Sequence, residues 1–173
     1  MNNDEQSECF DRWLSEHTPL LHHVANGFAE GADRQDLMQE LLLALWRAIP
    51  AFRQVARPST FIYGVAHNTA LMWKRKERNY RQKLDRFESL ATIKTDAIPD
   101  PSGREAEALD ALYAEIRKLP PVDRSLALLL LDDLSYAEIA KIHGMTESNV
   151  GARLSRLKQK LTHNMKGIVH ELR

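Results

Sequence analysis

The stretch "LSYAEIAKIHGMTESNVGARLSRLKQKL", residues 134–161, admits few folds. Ser135 followed three residues later by Glu138 is a capping-box pattern, in which each side chain bonds the other's backbone N–H, and it starts a helix. Gly144 ends that helix, because glycine takes the left-handed conformation without steric cost. Thr146 then offers its hydroxyl to the first turn of a second helix, on which Val150, Leu154, Leu157 and Leu161 share one face. Ala140 is small where the two helices approach, and Val150 fills the space between them. The pattern predicts a helix-turn-helix, whose second helix enters the major groove of DNA by its N-terminal end.

The opposite face of that second helix suits the role. Glu147, Ser148 and Asn149 lie at its leading tip, and Arg153 and Arg156 follow. Such side chains reach base edges, while Lys158 and Lys160 meet phosphates. Caps and a leucine stripe would equally serve an ordinary helical hairpin with a solvated charged face. The small residues at these offsets and the basic stripe favour DNA.

Whole-chain charge says nothing about a partner, since 24 basic and 24 acidic side chains cancel. Their distribution says more. Residues 1–45 carry nine acids against Arg12 and Arg34, whereas residues 74–86 carry seven bases against Glu77 and Asp85. Residues 146–166 hold five bases against Glu147. One acidic lobe and two basic stripes imply two kinds of partner.

Helical periodicity runs through the remainder, with no alternating strand pattern. A first helix includes "FDRWLSEH" and resumes after Pro19, with Phe10, Trp13, Leu14, Leu21 and Val24 inward. Asp33 is placed to cap a second, in which Leu37, Leu41 and Leu45 recur each turn, and Pro50 stops it. A long helix follows from about Ser59 through the first basic stripe. Residues 88–106 lose periodicity and collect Pro99, Pro101, Ser102 and Gly103, which marks a linker. Helical pattern returns in "EALDALYAEIRKL" and, after Pro120-Pro121, in "VDRSLALLLL". The expectation is an all-α chain of two small helical domains, residues 1–87 and 107–173, joined by a flexible linker at 88–106.

Several classes of protein lack support. Cys9 is the single cysteine, so no intrachain disulfide forms and a reducing compartment fits. The acidic start "MNNDEQSE" is no secretory leader, and "LLLALW" and "LALLLL" are too short to span a bilayer, so a cytoplasmic protein is expected. The histidines show no metal-ligand spacing, and His67 reads as a surface residue beside Asn68. Neither a phosphate-binding glycine loop nor a nucleophile elbow is present, so neither enzyme activity nor a cofactor is expected.

Residues 119–161, from "LPPVDRSLALLLL" through the "LSYAEIA" helix to "RLSRLKQKL", resemble region 4 of bacterial sigma factors of the extracytoplasmic-function type. In place of the Lys and Ser frequent in that family before the arginine, this chain has Gly151 and Ala152. The segment "DLMQELLLALWRAIPAFRQVARPSTFIYGVAHNTALMWKRKER", residues 36–78, is similar to region 2 of the same family. A helix-turn-helix alone would suit a stand-alone transcriptional regulator; the second resemblance weighs against that reading. The resemblance implies a promoter-specificity subunit of RNA polymerase. Region 4 would bind the −35 element through Glu147, Ser148, Asn149, Arg153, Arg156 and Lys158, and pack on the flap of the β subunit. Region 2 would hold the melted −10 element through Arg53, Arg57, Asn68, Met72 and Arg75, with the loop Arg53–Pro58 receiving a flipped base. Asp36, Gln39 and Glu40 would dock on the clamp helices of the β′ subunit, and an anti-sigma factor is a further partner the family implies. The rings of Phe61, Tyr63 and Trp73 read equally as core or as surface for stacking bases, and Tyr80 adds aromatic surface among the bases.

Overall fold

A computed structural model describes residues 3–53, 57–87 and 104–171, with side chains over 3–53, 57–82 and 107–164. These residues form seven α-helices and connecting turns, without a strand among them. In order they are α1 (Asn3–Phe28), α2 (Gly31–Ala48), α3 (Pro58–Phe87), α4 (Arg104–Arg117), α5 (Pro121–Leu131), α6 (Tyr136–His143) and α7 (Glu147–Glu171). The expected all-α class holds. Most of the expected linker, residues 88–103, lies outside the described residues.

Two local expectations give way to tertiary packing. Helix α1 is continuous through Pro19 instead of breaking there. A proline inside a helix removes one backbone bond and costs about 3 kcal/mol. Burial of Trp13, Leu20, Leu21 and Val24 along the same face outweighs it, at about 1.5–3 kcal/mol for each large apolar side chain. Helix α2 begins at Gly31, two residues before Asp33, and its N-cap residue Glu30 makes no side-chain cap. The early start follows from Gly31, whose φ of +55° makes the reversal out of α1. Asp33 pairs instead with Arg81 of α3, 3.3 Å away. Pro50 does end α2, through a 3-10 turn over Ile49–Ala51.

The N-terminal half is a three-helix core. Leu37, Leu41 and Leu45 of α2 insert between Trp13, Leu21, Val24 and Phe28 of α1 and Ile62, Ala66 and Ala70 of α3. Trp13 meets Phe52 edge-on at 5.2 Å, which fastens the chain after α2 onto α1. The C-terminal half has its own core, built from Leu126 and Leu129 of α5, Ile139 and Ala140 of α6, and Val150, Leu154 and Leu157 of α7.

The two halves are not separate bodies. Tyr113 and Ile116 of α4 and Leu128 of α5 join the N-terminal core. Where α1 crosses α5, a Cβ on Gly27 would lie 2.5 Å from Leu128 Cδ1, so only glycine allows that approach. Arg124 of α5 is buried and spends its donors on helix ends: Nε reaches Leu119 O at 2.8 Å, Nη1 reaches Phe28 O at 3.4 Å, and Nη2 binds Arg117 O. A cation at helix C-termini is favoured by the carbonyls left unpaired there. Arg117 Nη1 adds a bond to Asn26 O at 2.9 Å. His67, expected at the surface, is fully buried in this seam.

Candidate nucleic-acid interface

Helices α6 and α7 form the expected helix-turn-helix. The Ser135 N–H donates to Glu138 Oε2 at 3.0 Å, and the Glu138 N–H donates to Ser135 Oγ at 3.3 Å, which closes the capping box. These bonds from Ser135 hold the Glu138 carboxyl below the usual carboxylate range. Gly144 takes φ +62°, and the Asn149 N–H bonds Thr146 Oγ1 at 3.3 Å to open α7. Val150 and Leu154 are fully buried against α6 and α5.

The tip of α7 is open. Glu147, Ser148, Asn149, Arg156 and Lys158 are exposed on its outer side. Arg153 differs: it is half-buried, and its Nη1 donates to Asp123 Oδ1 at 2.9 Å, tying α7 to the first turn of α5. Gly151 lies against α6, where a Cβ would come 3.5 Å from the Tyr136 ring, an ordinary contact.

A second exposed surface runs along α3. Asn68, Met72 and Arg75 share one face and all are exposed, as are Arg53 and Arg57 before the helix. Gln54, Val55 and Ala56, the centre of the loop expected to receive a base, lie outside the described residues. Behind this surface the aromatic rings separate by role. Phe61 packs at 5.1 Å from Phe52 and 5.8 Å from Trp13, so it is core wall. Tyr63 faces Asp132 at the seam, and burial pushes its hydroxyl pKa up. Trp73 is half-buried with Lys74 Nζ 5.8 Å above its ring, and Tyr80 is exposed. Within the basic stripe Lys74 and Arg81 both donate to Glu77, at 2.6 and 2.5 Å. Arg75, Lys76 and Arg78 are exposed.

Asp36, Gln39 and Glu40 stand exposed on the outer side of α2. Leu43 joins them, 48% exposed and one turn beyond Glu40. Its signal in the sequence is that it falls off the stripe of Leu37, Leu41 and Leu45.

Comparison with known proteins decides the family. Residues 13–80 match sigma-70 region 2, and residues 109–161 match sigma-70 region 4. The chain belongs to the extracytoplasmic-function sigma factors of the sigma-70 family. The RNA polymerase sigma factor YlaC of Bacillus subtilis is 29% identical over 133 residues, 76% of each chain. The ECF RNA polymerase sigma-E factor of Escherichia coli K12 is 26% identical over 160 residues, 86% of this chain and 83% of that one. The same fold recurs in the sigma factor RpoE co-crystallised with the anti-sigma factor NepR from Bartonella quintana. That match has a TM-score of 0.75 at 22% identity, over 92% of this chain and 98% of the other. CnrH in complex with the cytosolic domain of CnrY gives 0.60 at 20% identity, over 93% and 90%.

In this sigma factor the three groups of residues singled out in the sequence occupy three distinct surfaces. The residues singled out in region 4 cluster on α7, those in region 2 on and before α3, and the acidic group on α2. Among the cavities between the regions, two border the exposed face and basic stripe of α3. One, of about 580 Å³, combines Leu71, Lys74, Arg75 and Arg78 of α3 with Val122 and Arg124 of α5. The other, of about 320 Å³, sets Thr60, Phe61 and Asn68 of α3 beside Lys141 and Ile142 of α6. Neither leaves a local signal, because each joins residues far apart in the chain. Among the described residues no helix is long and apolar enough to cross a membrane, and no three metal-binding side chains cluster.

Proposed function

We propose that this sigma factor lends core RNA polymerase both promoter recognition and strand opening, without catalysis or a cofactor of its own. The division of labour follows residues 1–87 and 107–173, joined through 88–106. Asp36, Gln39 and Glu40, with Leu43 as an apolar anchor, dock on the β′ clamp helices, and the C-terminal half packs on the β flap. Arg53, Arg57, Asn68, Met72 and Arg75 hold the melted −10 element. Glu147, Ser148, Asn149, Arg156 and Lys158 meet the −35 duplex, and Arg153 joins them once it leaves Asp123. An anti-sigma factor is the expected antagonist, and the cytoplasm the expected place of action.

One observation carries this reading: a single chain presents an acidic exposed face on α2 and two separate exposed surfaces, on α3 and α7, that carry bases and amides. A stand-alone regulator needs only the last. The test is run-off transcription with purified core polymerase on genomic fragments, with permanganate mapping of unpaired thymines. Promoter-dependent transcripts with an open −10 segment are expected. Asp36→Lys with Glu40→Lys should abolish both, since like charges set against a basic surface cost several kcal/mol. DNA binding without open thymines at any promoter would return the regulator reading.

A further inference from the structure

The seam between the halves contains a buried polar cluster that neither nucleic-acid surface uses. His67 of α3 is fully buried, and Ser125 of α5 lies beneath it with no exposure. Ser125 Oγ sits 2.5 Å from His67 Nδ1 and 2.9 Å from Nε2 of His143, the last residue of α6. One hydroxyl therefore bridges two imidazoles and joins three helices, one from region 2 and two from region 4. We propose that this His67–Ser125–His143 cluster is a pH-sensitive latch, which keeps the two regions closed while both rings are neutral and releases them when the rings are protonated.

Hydrogen-bond chemistry explains the requirement for neutral rings. A serine hydroxyl has one proton to donate, and its oxygen accepts. With both rings neutral, one ring N–H donates to Oγ, and the Ser125 proton goes to the bare nitrogen of the other ring. Adding a proton to both rings points two N–H donors at Oγ and leaves the serine proton no acceptor there. His67 has a further difficulty, because its Nε2 is buried without a partner. An imidazolium at that place would hold an unpaired, charged N–H in the interior.

The surrounding groups do not relieve this. Phe28 of α1 and Tyr63 of α3 flank the His67 ring, and His143 stands 6.5 Å from it, centroid to centroid. His23 of α1 and Arg153 of α7 add positive charge near His67 and His143 respectively when ionised. Arg124 of α5 is committed to backbone carbonyls. The seam carboxylate, Asp132, faces His23 at 3.6 Å and Tyr63, and Tyr113 of α4 bonds His23 Nδ1 at 2.6 Å. Asp132 thus serves His23 and not the latch. Burial, reinforced by His143 and His23, holds the His67 pKa down to about 3, and burial with Arg153 lowers that of His143.

The direction follows from linkage. In the opened form both rings reach water and regain a value of about 6.5. Above that value neither form takes up protons, and closure is at full strength. As pH falls below it, the open form binds protons that the closed form refuses. The closed-to-open ratio then drops by up to about tenfold per pH unit for each ring. Opening withdraws Lys141 and Ile142 of α6 from the side of Asn68, which they border in the closed form. That consequence for promoter binding rests on the proposed function, whereas the latch itself does not.

The test is small-angle X-ray scattering of the full chain between about pH 8 and about pH 5, with far-UV circular dichroism alongside. The wild type should expand as pH falls, with helix content unchanged. His67→Gln with His143→Gln keeps hydrogen-bonding side chains that do not titrate, and should hold one radius of gyration throughout. If that pair does not fold, Ser125→Ala decides alone: loss of the bridge should move the expansion to higher pH. A wild-type radius that stays constant, an expansion that tracks loss of helix, a folded double variant that expands at the wild-type pH, or a Ser125→Ala midpoint equal to wild type each overturns the latch. Since no readout involves polymerase or promoter, failure here leaves the sigma-factor reading untouched.

Discussion

Leu41 and His67 are equally hidden from water, yet what surrounds them differs in kind. Leu41 sits among apolar side chains of one half, whereas His67 bonds Ser125 of the other half, which in turn contacts His143. Inside each half, contact with water has nothing to offer in return for lost packing. Along the seam, by contrast, Arg124, His67, Ser125 and Asp132 would all find partners in water, so separating the halves costs less than unfolding either one. The apolar patches of the seam, Leu128 against Gly27 and Ile116 beside them, set how tightly it closes. The cores hold each part together, and under the proposed latch the seam makes their arrangement conditional.

The contrast is most directly broken at Leu41. Leu41→Ala should lower unfolding free energy in a denaturant titration by about 2–5 kcal/mol, through lost transfer energy and the cavity left behind. A loss below 1 kcal/mol, about the typical effect of a point substitution, would mean the N-terminal core is far looser than its burial implies. Gly27→Ala probes the seam instead. Its methyl would overlap Leu128, an overpacking of about 1–3 kcal/mol, while the helix itself gains about 1 kcal/mol from alanine. The expected outcome is opened halves with stable helices, read as a larger radius of gyration with little change in helical signal. The smallest effect belongs to Asp123→Asn. Its partner Arg153 and Asp123 itself are 36% and 25% exposed, so the pair contributes at most about 1 kcal/mol to stability. If Arg153 joins the −35 contact as proposed, affinity of the polymerase complex for −35 duplex should not fall, because the arginine loses its intramolecular partner.

What was legible in the sequence is what rests on neighbours in the chain. Ser135 with Glu138, Gly144, Thr146 and the Val150–Leu161 stripe each declare their conformation within a few residues, and each is found as read. The leucines of α2 fix which of its sides faces out, and with it the exposure of Asp36, Gln39 and Glu40. Asp33 and Pro19 depart from what the local sequence favours because the reversal at Gly31 and the burial along α1 override local preference. The position of His67 was out of reach for another reason: its partner Ser125 is 58 residues away, and nothing local distinguishes a buried histidine from a surface one.

The basic stripe of α3 offers a last lesson about counterions. Residues 74–86 carry seven bases, and a tally of them overstates what the helix brings to a nucleic-acid strand. Glu77 already neutralises one positive charge between Lys74 and Arg81, and Arg81 also touches Asp33. A single strand gives up condensed ions in proportion to the phosphates a protein neutralises, with a log–log slope of about 0.7 per phosphate. Cations compensated from within the protein displace fewer of them. If α3 holds the melted strand as proposed, its salt response should be shallower than its composition implies, and its affinity should fall less as ionic strength rises.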